Sequence, residues 1–103
     1  MNNIIFSNSK LATWANNEAK AIKKLGYKRS KLYLQRLNEL RSITAINDLN
    51  YLPGKHHSLK GDRSGQWSCN LDGGYRLIYS PEEDSKGNII KITITVLEII
   101  DYH

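Results

Sequence analysis

The stretch that most constrains this chain is "IIKITITVLEII", residues 89–100. β-Branched residues dominate it and they alternate. Ile90, Ile92, Ile94 and Val96 fall on one phase, with Lys91, Thr93 and Thr95 on the other. Branched side chains pack well on a pleated surface whose successive residues point to opposite faces, so the run is a strand. After Val96 the apolar set moves to Leu97 and Ile99. A strand changes phase only through a bulge, or where both its faces are covered. Either case puts the end of this strand deep in a sheet.

The remaining elements can be ordered around it. "IIF" (Ile4 to Phe6) reads as a first strand, with Ser7 or Ser9 as a helix N-cap after it. Leu11, Trp14, Ala15, Ile22 and Leu25 recur at helical spacing, and Gly26 closes that helix. A second helix is predicted from about Lys28 to Ser42, its stripe formed by Tyr33, Leu37 and Leu40 and widened by Leu34. The short connection makes the two an antiparallel hairpin. "TAINDLNYL" reads as a helical turn closed by Pro53-Gly54. From there the pattern is of strands: "HHSLKG", "QWSCNL", an Asp72-Gly73-Gly74 turn, "YRLIY", a polar loop over Pro81–Asn88, and the last strand. The expected fold is α+β: an N-terminal strand, a two-helix hairpin, then an antiparallel meander in one sheet with the helices on one face. One domain over residues 1–103 accommodates it.

Charge narrows the function classes. Fifteen Lys and Arg against ten Asp and Glu give a net charge of +5, which favours polyanionic partners such as nucleic acid, the ribosome or an acidic protein. One cysteine, Cys69, excludes an internal disulfide and fits a reducing cytosol. No apolar stretch approaches the roughly 20 residues needed to cross a bilayer. "MNNIIFSNSK" lacks a basic segment followed by a long apolar one, so neither a signal peptide nor membrane association is expected. A cytoplasmic location follows.

Several residues are chemically competent. Arg76 is out of phase with Tyr75, Leu77 and Tyr79; if those face the helices, Arg76 faces the other side of the sheet. There it suits bidentate capture of a phosphate, or a cross-strand salt bridge. His57 lies among Lys55, His56, Lys60 and Arg63. Adjacent strand residues point apart, so at most one of His56 and His57 belongs to a site. They make a poor metal pair, and Cys69 sits on an apolar phase, so no metal motif is present. The chain closes on Asp101, Tyr102 and His103, three proton-capable residues carried by the last strand. A histidine, an arginine, a lysine and these three suit metal-free cleavage of RNA. One group deprotonates the 2′-hydroxyl, cations stabilise charge on phosphorus, and another group protonates the leaving 5′-oxygen.

The run "LPGKHHSLKGDRSGQWSCNLDGGYRLIY" followed by "IIDYH" resembles the HigB group of the RelE/ParE toxin superfamily. The resemblance covers residues 52–103; the helical half matches only in its order of elements. It implies the toxin of a type II toxin–antitoxin pair, a ribosome-dependent mRNA endonuclease working without cofactor. By that resemblance His57 is the catalytic histidine, Arg76 contacts the scissile phosphate, and Asp101, Tyr102 and His103 form a terminal catalytic trio. Lys60 matches the motif lysine and joins Lys55 as a candidate RNA contact; Lys28, Arg29 and Lys31 are added on charge alone. The implied partners are a helix-turn-helix antitoxin of the HigA kind, the ribosome and mRNA, with operator DNA reached only through the antitoxin. His56 departs from a motif position that is more often apolar. Two alternatives share the fold: a ParE-like toxin acting on DNA gyrase without cutting RNA, and an inactive member that only binds an antitoxin.

Overall fold

The computed structural model describes residues 2–99. Five strands form one sheet in the order β1-β5-β4-β3-β2. They are β1 (Asn3–Phe6), β2 (His57–Ser58), β3 (Trp67–Asn70), β4 (Tyr75–Glu83) and β5 (Ile89–Ile99). β2 to β5 form an antiparallel meander, while β1 pairs in parallel with β5. Between β1 and β2 lie α1 (Ser9–Asn16), α2 (Glu18–Leu25), α3 (Tyr27–Ser42) and a 3₁₀ turn, Ile46–Tyr51. A second 3₁₀ turn, Gly61–Arg63, separates β2 from β3.

The predicted first helix is two helices. Asn17 stands in extended conformation between them, and its side chain accepts from the Lys20 amide, capping α2. α1 is capped by Asn8, which accepts from the Leu11 amide, and not by Ser7 or Ser9. Asparagine serves because its short side chain reaches the free amides of a first helical turn. At φ +88°, Gly26 ends α2 and opens α3, a conformation that costs glycine little.

The core lies between the helices and one face of the sheet. Leu11, Leu25, Tyr33, Leu37 and Leu40 pack against Cys69, Leu77, Tyr79, Ile92 and Ile94. Tyr33 is fully buried, and its hydroxyl donates to the Leu11 carbonyl at 2.8 Å, fixing α3 to α1. Each such side chain contributes about 1.5–3 kcal/mol by leaving water, so the α3 stripe alone outweighs any surface pair. α3 also buries Arg36, on the stripe with Tyr33 and Leu37. Its Nε donates to the Asn70 carbonyl at 3.0 Å and its Nη1 to Glu39 at 3.1 Å.

The phase change in β5 is a bulge. Ile78 pairs with Val96 but Tyr79 pairs with Ile94, so Thr95 is the extra residue. The switch therefore falls one residue earlier than the sequence suggests: Val96 already shares the face of Ile78, and Leu97 pairs with Leu77 on the core side. A second irregularity pairs Glu83 with Ile89 and Glu82 with Lys91. It turns Ile90 out to solvent and puts Ile89 in the core in its place. β4 also continues through Pro81 to Glu83, where a loop was expected. Proline is tolerated there because β3 stops pairing at Tyr79, so β4 has only β5 as a neighbour. At the other end of β4, Gly73 and Gly74 both take positive φ and the Tyr75 amide returns to the Asp72 carbonyl at 3.0 Å, closing the β3–β4 hairpin.

Candidate active site

The sheet face away from the helices carries two rows of side chains. His57, Ser68, Ile78 and Val96 face each other across β2 to β5. One step along are Asn70, Arg76 and Glu98. Arg76 therefore stands on the predicted face, two strands and two residues from His57, about 12 Å between Cα positions by sheet spacing. Long side chains over that distance can meet one nucleotide.

Arg76 meets the carboxylate directly opposite. Its Nε donates to Glu98 Oε1 at 2.7 Å and its Nη2 lies 2.6 Å from the same oxygen. Arg63, in the 3₁₀ turn after β2, reaches across β3 and β4 to the same carboxylate, at 2.7 Å to Oε1 and 3.1 Å to Oε2. The guanidinium of Arg63, then that of Arg76, holds the Glu98 carboxyl below the usual carboxylate range. Two cations around one anion leave the cluster with a charge of +1. Glu98 escapes sequence reading because its register with Arg76 depends on the bulge at Thr95.

The two histidines separate as strand geometry requires. His57 is exposed, and its Nδ1 lies 3.0 Å from the Lys55 carbonyl. A carbonyl only accepts, so Nδ1 carries the proton and Nε2 keeps its lone pair when the ring is neutral. Lys55 takes φ +53°, unusual for a residue with a Cβ, and this bend of the chain aims its carbonyl at the ring. His56 points into the protein. It is 8% exposed, and its Nδ1 lies 2.6 Å from the Tyr79 hydroxyl. Burial pushes the Tyr79 phenol well above its ordinary range, so Tyr79 keeps its proton and donates it to His56. Burial, followed by the charge of Arg36, lowers His56 to about 4. His56 is thus a packing residue.

That depression has a consequence for stability. A folded-state pKa of about 4 against 6.5 for the free side chain means the unfolded chain binds the proton first. Stability is complete above the unfolded value and is lost as pH falls from there towards 4, by about 3 kcal/mol in all. Urea unfolding of the wild type and of His56→Gln, whose amide also accepts from Tyr79, should show the variant flatter over this window. Parallel curves would assign the acid sensitivity elsewhere.

The other candidates divide. Lys55, Lys60 and Lys28 are exposed. Arg29 is not free as expected: its Nε pairs with Asp72 at 3.0 Å, its guanidinium stacks 3.6 Å from the Tyr75 ring centroid, and its Nη1 donates to the Leu25 carbonyl. It clamps the start of α3 to the β3–β4 turn, which brings Lys28 to the Arg76 end of the sheet. Lys31 pairs with exposed Glu18 at 2.8 Å, a contact that solvent makes easy to exchange. Cys69 is fully buried and its thiol is pushed up to about 12, so it is no nucleophile. The polar loop between β4 and β5, residues 84–88, lies at the far end of β4 from Arg76. Asp101, Tyr102 and His103 lie outside the described residues. Among the described residues no three His, Cys, Asp or Glu side chains group as metal ligands, and no helix is long and apolar enough to cross a membrane.

A five-stranded sheet of this order with the helices on one face matches, in fold, solved structures of YoeB and YoeB/ParE toxins. A YoeB/ParE toxin from Agrobacterium tumefaciens superposes with a TM-score of 0.56 at 16% identity, covering 96% of this chain and 99% of that one. A YoeB dimer from Staphylococcus aureus gives 0.56 at 20% identity, over 98% of both chains. A YoeB–YefM complex from the same organism gives 0.54 at 24% identity, over 99% of both. In sequence, the toxin YoeB of Streptomyces coelicolor is 52% identical over 31 residues, which is 30% of this chain and 37% of that protein. No family model matches the chain. The relatives carry YoeB and ParE names, a different group from HigB, so the comparisons support the fold that the motif resemblance implies and do not support its HigB assignment.

Proposed function

We propose that this protein is the toxin of a toxin–antitoxin pair and cleaves mRNA on the ribosome without a metal. The observation that carries the reading is the fixed tautomer of His57: Nδ1–H is held by the Lys55 carbonyl, and the free Nε2 shares a sheet face with Arg76. His57 takes the proton of a ribose 2′-hydroxyl, whose oxygen attacks the adjacent phosphorus. Arg76 binds the phosphate and stabilises its growing charge. A group of the Asp101–Tyr102–His103 trio protonates the departing 5′-oxygen, leaving a 2′,3′-cyclic phosphate and a 5′-hydroxyl. Lys55, Lys60 and Lys28 supply sequence-independent attraction to RNA backbones. The expected partner is an antitoxin. Since one relative was solved as a YoeB–YefM complex, a YefM-type partner is preferred over the HigA-like one that the HigB resemblance implies.

An in vitro translation reaction on a defined message tests this, with 5′ ends mapped by primer extension. Cuts should appear only on translating ribosomes and vanish when Asp101 to His103 are removed. Cuts on naked RNA would discard the ribosome dependence. Intact message alongside gyrase-dependent DNA damage would replace this reading with the ParE-like one.

A further inference from the structure

The carboxylate of Glu98 occupies the guanidinium edge that a phosphate would use. Arg76 directs both Nε and Nη2 at one oxygen of it, Oε1, so the donor edge with which an arginine could take two oxygens of a phosphate is already engaged. We propose that Glu98 is a displaceable internal anion that gates this site: an entering phosphate takes Arg76 from Glu98, while Arg63 retains the carboxylate. The gate rests on the assignment of Arg76 as the phosphate contact.

Three observations favour a gate over a purely structural bridge. The cluster is part-exposed and not sealed in the core: Arg63, Arg76 and Glu98 are 42%, 21% and 24% exposed at their side chains, so an entering anion can reach it. The carboxylate also has a second holder. Arg63 binds both oxygens, so losing Arg76 does not strand the charge. Finally, the holder comes from a separate element, the turn between β2 and β3, so Arg76 can swing from Glu98 without moving the sheet. A resident carboxylate makes weak anions poor ligands and lets only a multiply charged or well-placed phosphate compete. Specificity of this kind is set by what is rejected.

Titration with inorganic pyrophosphate at fixed ionic strength, read from the Arg76 and Arg63 Nε–H resonances, tests the gate. Glu98→Gln should bind at least about tenfold more tightly than wild type. Glu82→Gln removes the same charge far along β4 and should stay within about twofold of wild type. Glu98→Asp keeps the charge on a shorter stem and should fall between wild type and Glu98→Gln; it decides the matter if the glutamine variant does not fold. In wild type at saturation the Arg76 resonance should move more than that of Arg63. Equal affinities for the Glu98 and Glu82 variants, or arginine resonances unmoved in every protein, overturn the gate. The translation assay reads the nuclease assignment separately, so either can fail alone.

Discussion

Replacing His57 with alanine is expected to lower ribosome-dependent cleavage by about 10²–10⁴-fold, the usual contribution of a positioned acid or base. The fold should survive the change. The side chain is exposed and its recorded bond is to a carbonyl two residues away, so the loss in stability should stay within about 0.5 kcal/mol. Cleavage rates on stalled ribosomes with a defined codon, set beside thermal melts of both proteins, separate the two effects. A variant that melts like wild type and cuts like wild type would remove His57 from the chemistry. His56→Gln should do the reverse, altering acid stability and sparing cleavage, because His56 faces Tyr79 and not the site.

The second large effect concerns the backbone just before that histidine. Gly54→Ala should cost about 3 kcal/mol or more, which lowers the melting temperature of a domain this size by roughly 12 °C or more. Two penalties combine. Gly54 holds φ +102°, which a residue with a Cβ rarely adopts. An added Cβ would also sit 2.6 Å from Arg36 Nε and 2.9 Å from its Cζ. Arg36 cannot step aside, because it is 7% exposed and bound to both Asn70 and Glu39. The Gly54 carbonyl meanwhile accepts from the Asn70 amide at 2.7 Å, tying the entry of β2 to the end of β3. Gly61→Ala makes the comparison: φ is +69° there but nothing lies within 4 Å, so only the backbone penalty of about 1–2 kcal/mol applies. If both variants melt together, the Arg36 contact is not what makes Gly54 special. Since total stability for such domains is about 5–15 kcal/mol, Gly54→Ala removes a large share of it.

What the sequence discloses follows from which interactions are local. The Asp72-Gly73-Gly74 turn, the Gly26 break and the alternation of β4 depend on neighbours in the chain, and they were legible. The orientation of Arg76 followed from its phase alone. The break at Asn17 was hidden because Leu11 to Leu25 keeps helical spacing across it. Glu98 and Arg63 were hidden for a different reason: their meeting needs a register that two irregularities in β5 shift by a residue each. Arg29 looked like a free cation because nothing nearby in the chain announces Asp72 and Tyr75 as its partners. Charge counting finds basic residues, but only three-dimensional pairing tells which of them remain available.

The position of β5 carries one more implication. This strand lies between β1 and β4, so it is joined on one side to the start of the chain and on the other to its immediate predecessor. The β1–β5 ladder links residue 3 to residue 91, and the loop so closed spans nearly the whole described chain. Contacts of such separation come late in folding, because the chain entropy of closure is lost before the pairing compensates for it. During synthesis β1 emerges first and waits without its neighbour until β5 has been made. The arginine cluster, which includes Glu98 on that same strand, is absent until then. A nascent chain accordingly lacks the Arg76–Glu98–Arg63 grip until β5 has been made and paired, so this face of the sheet reaches its final arrangement last.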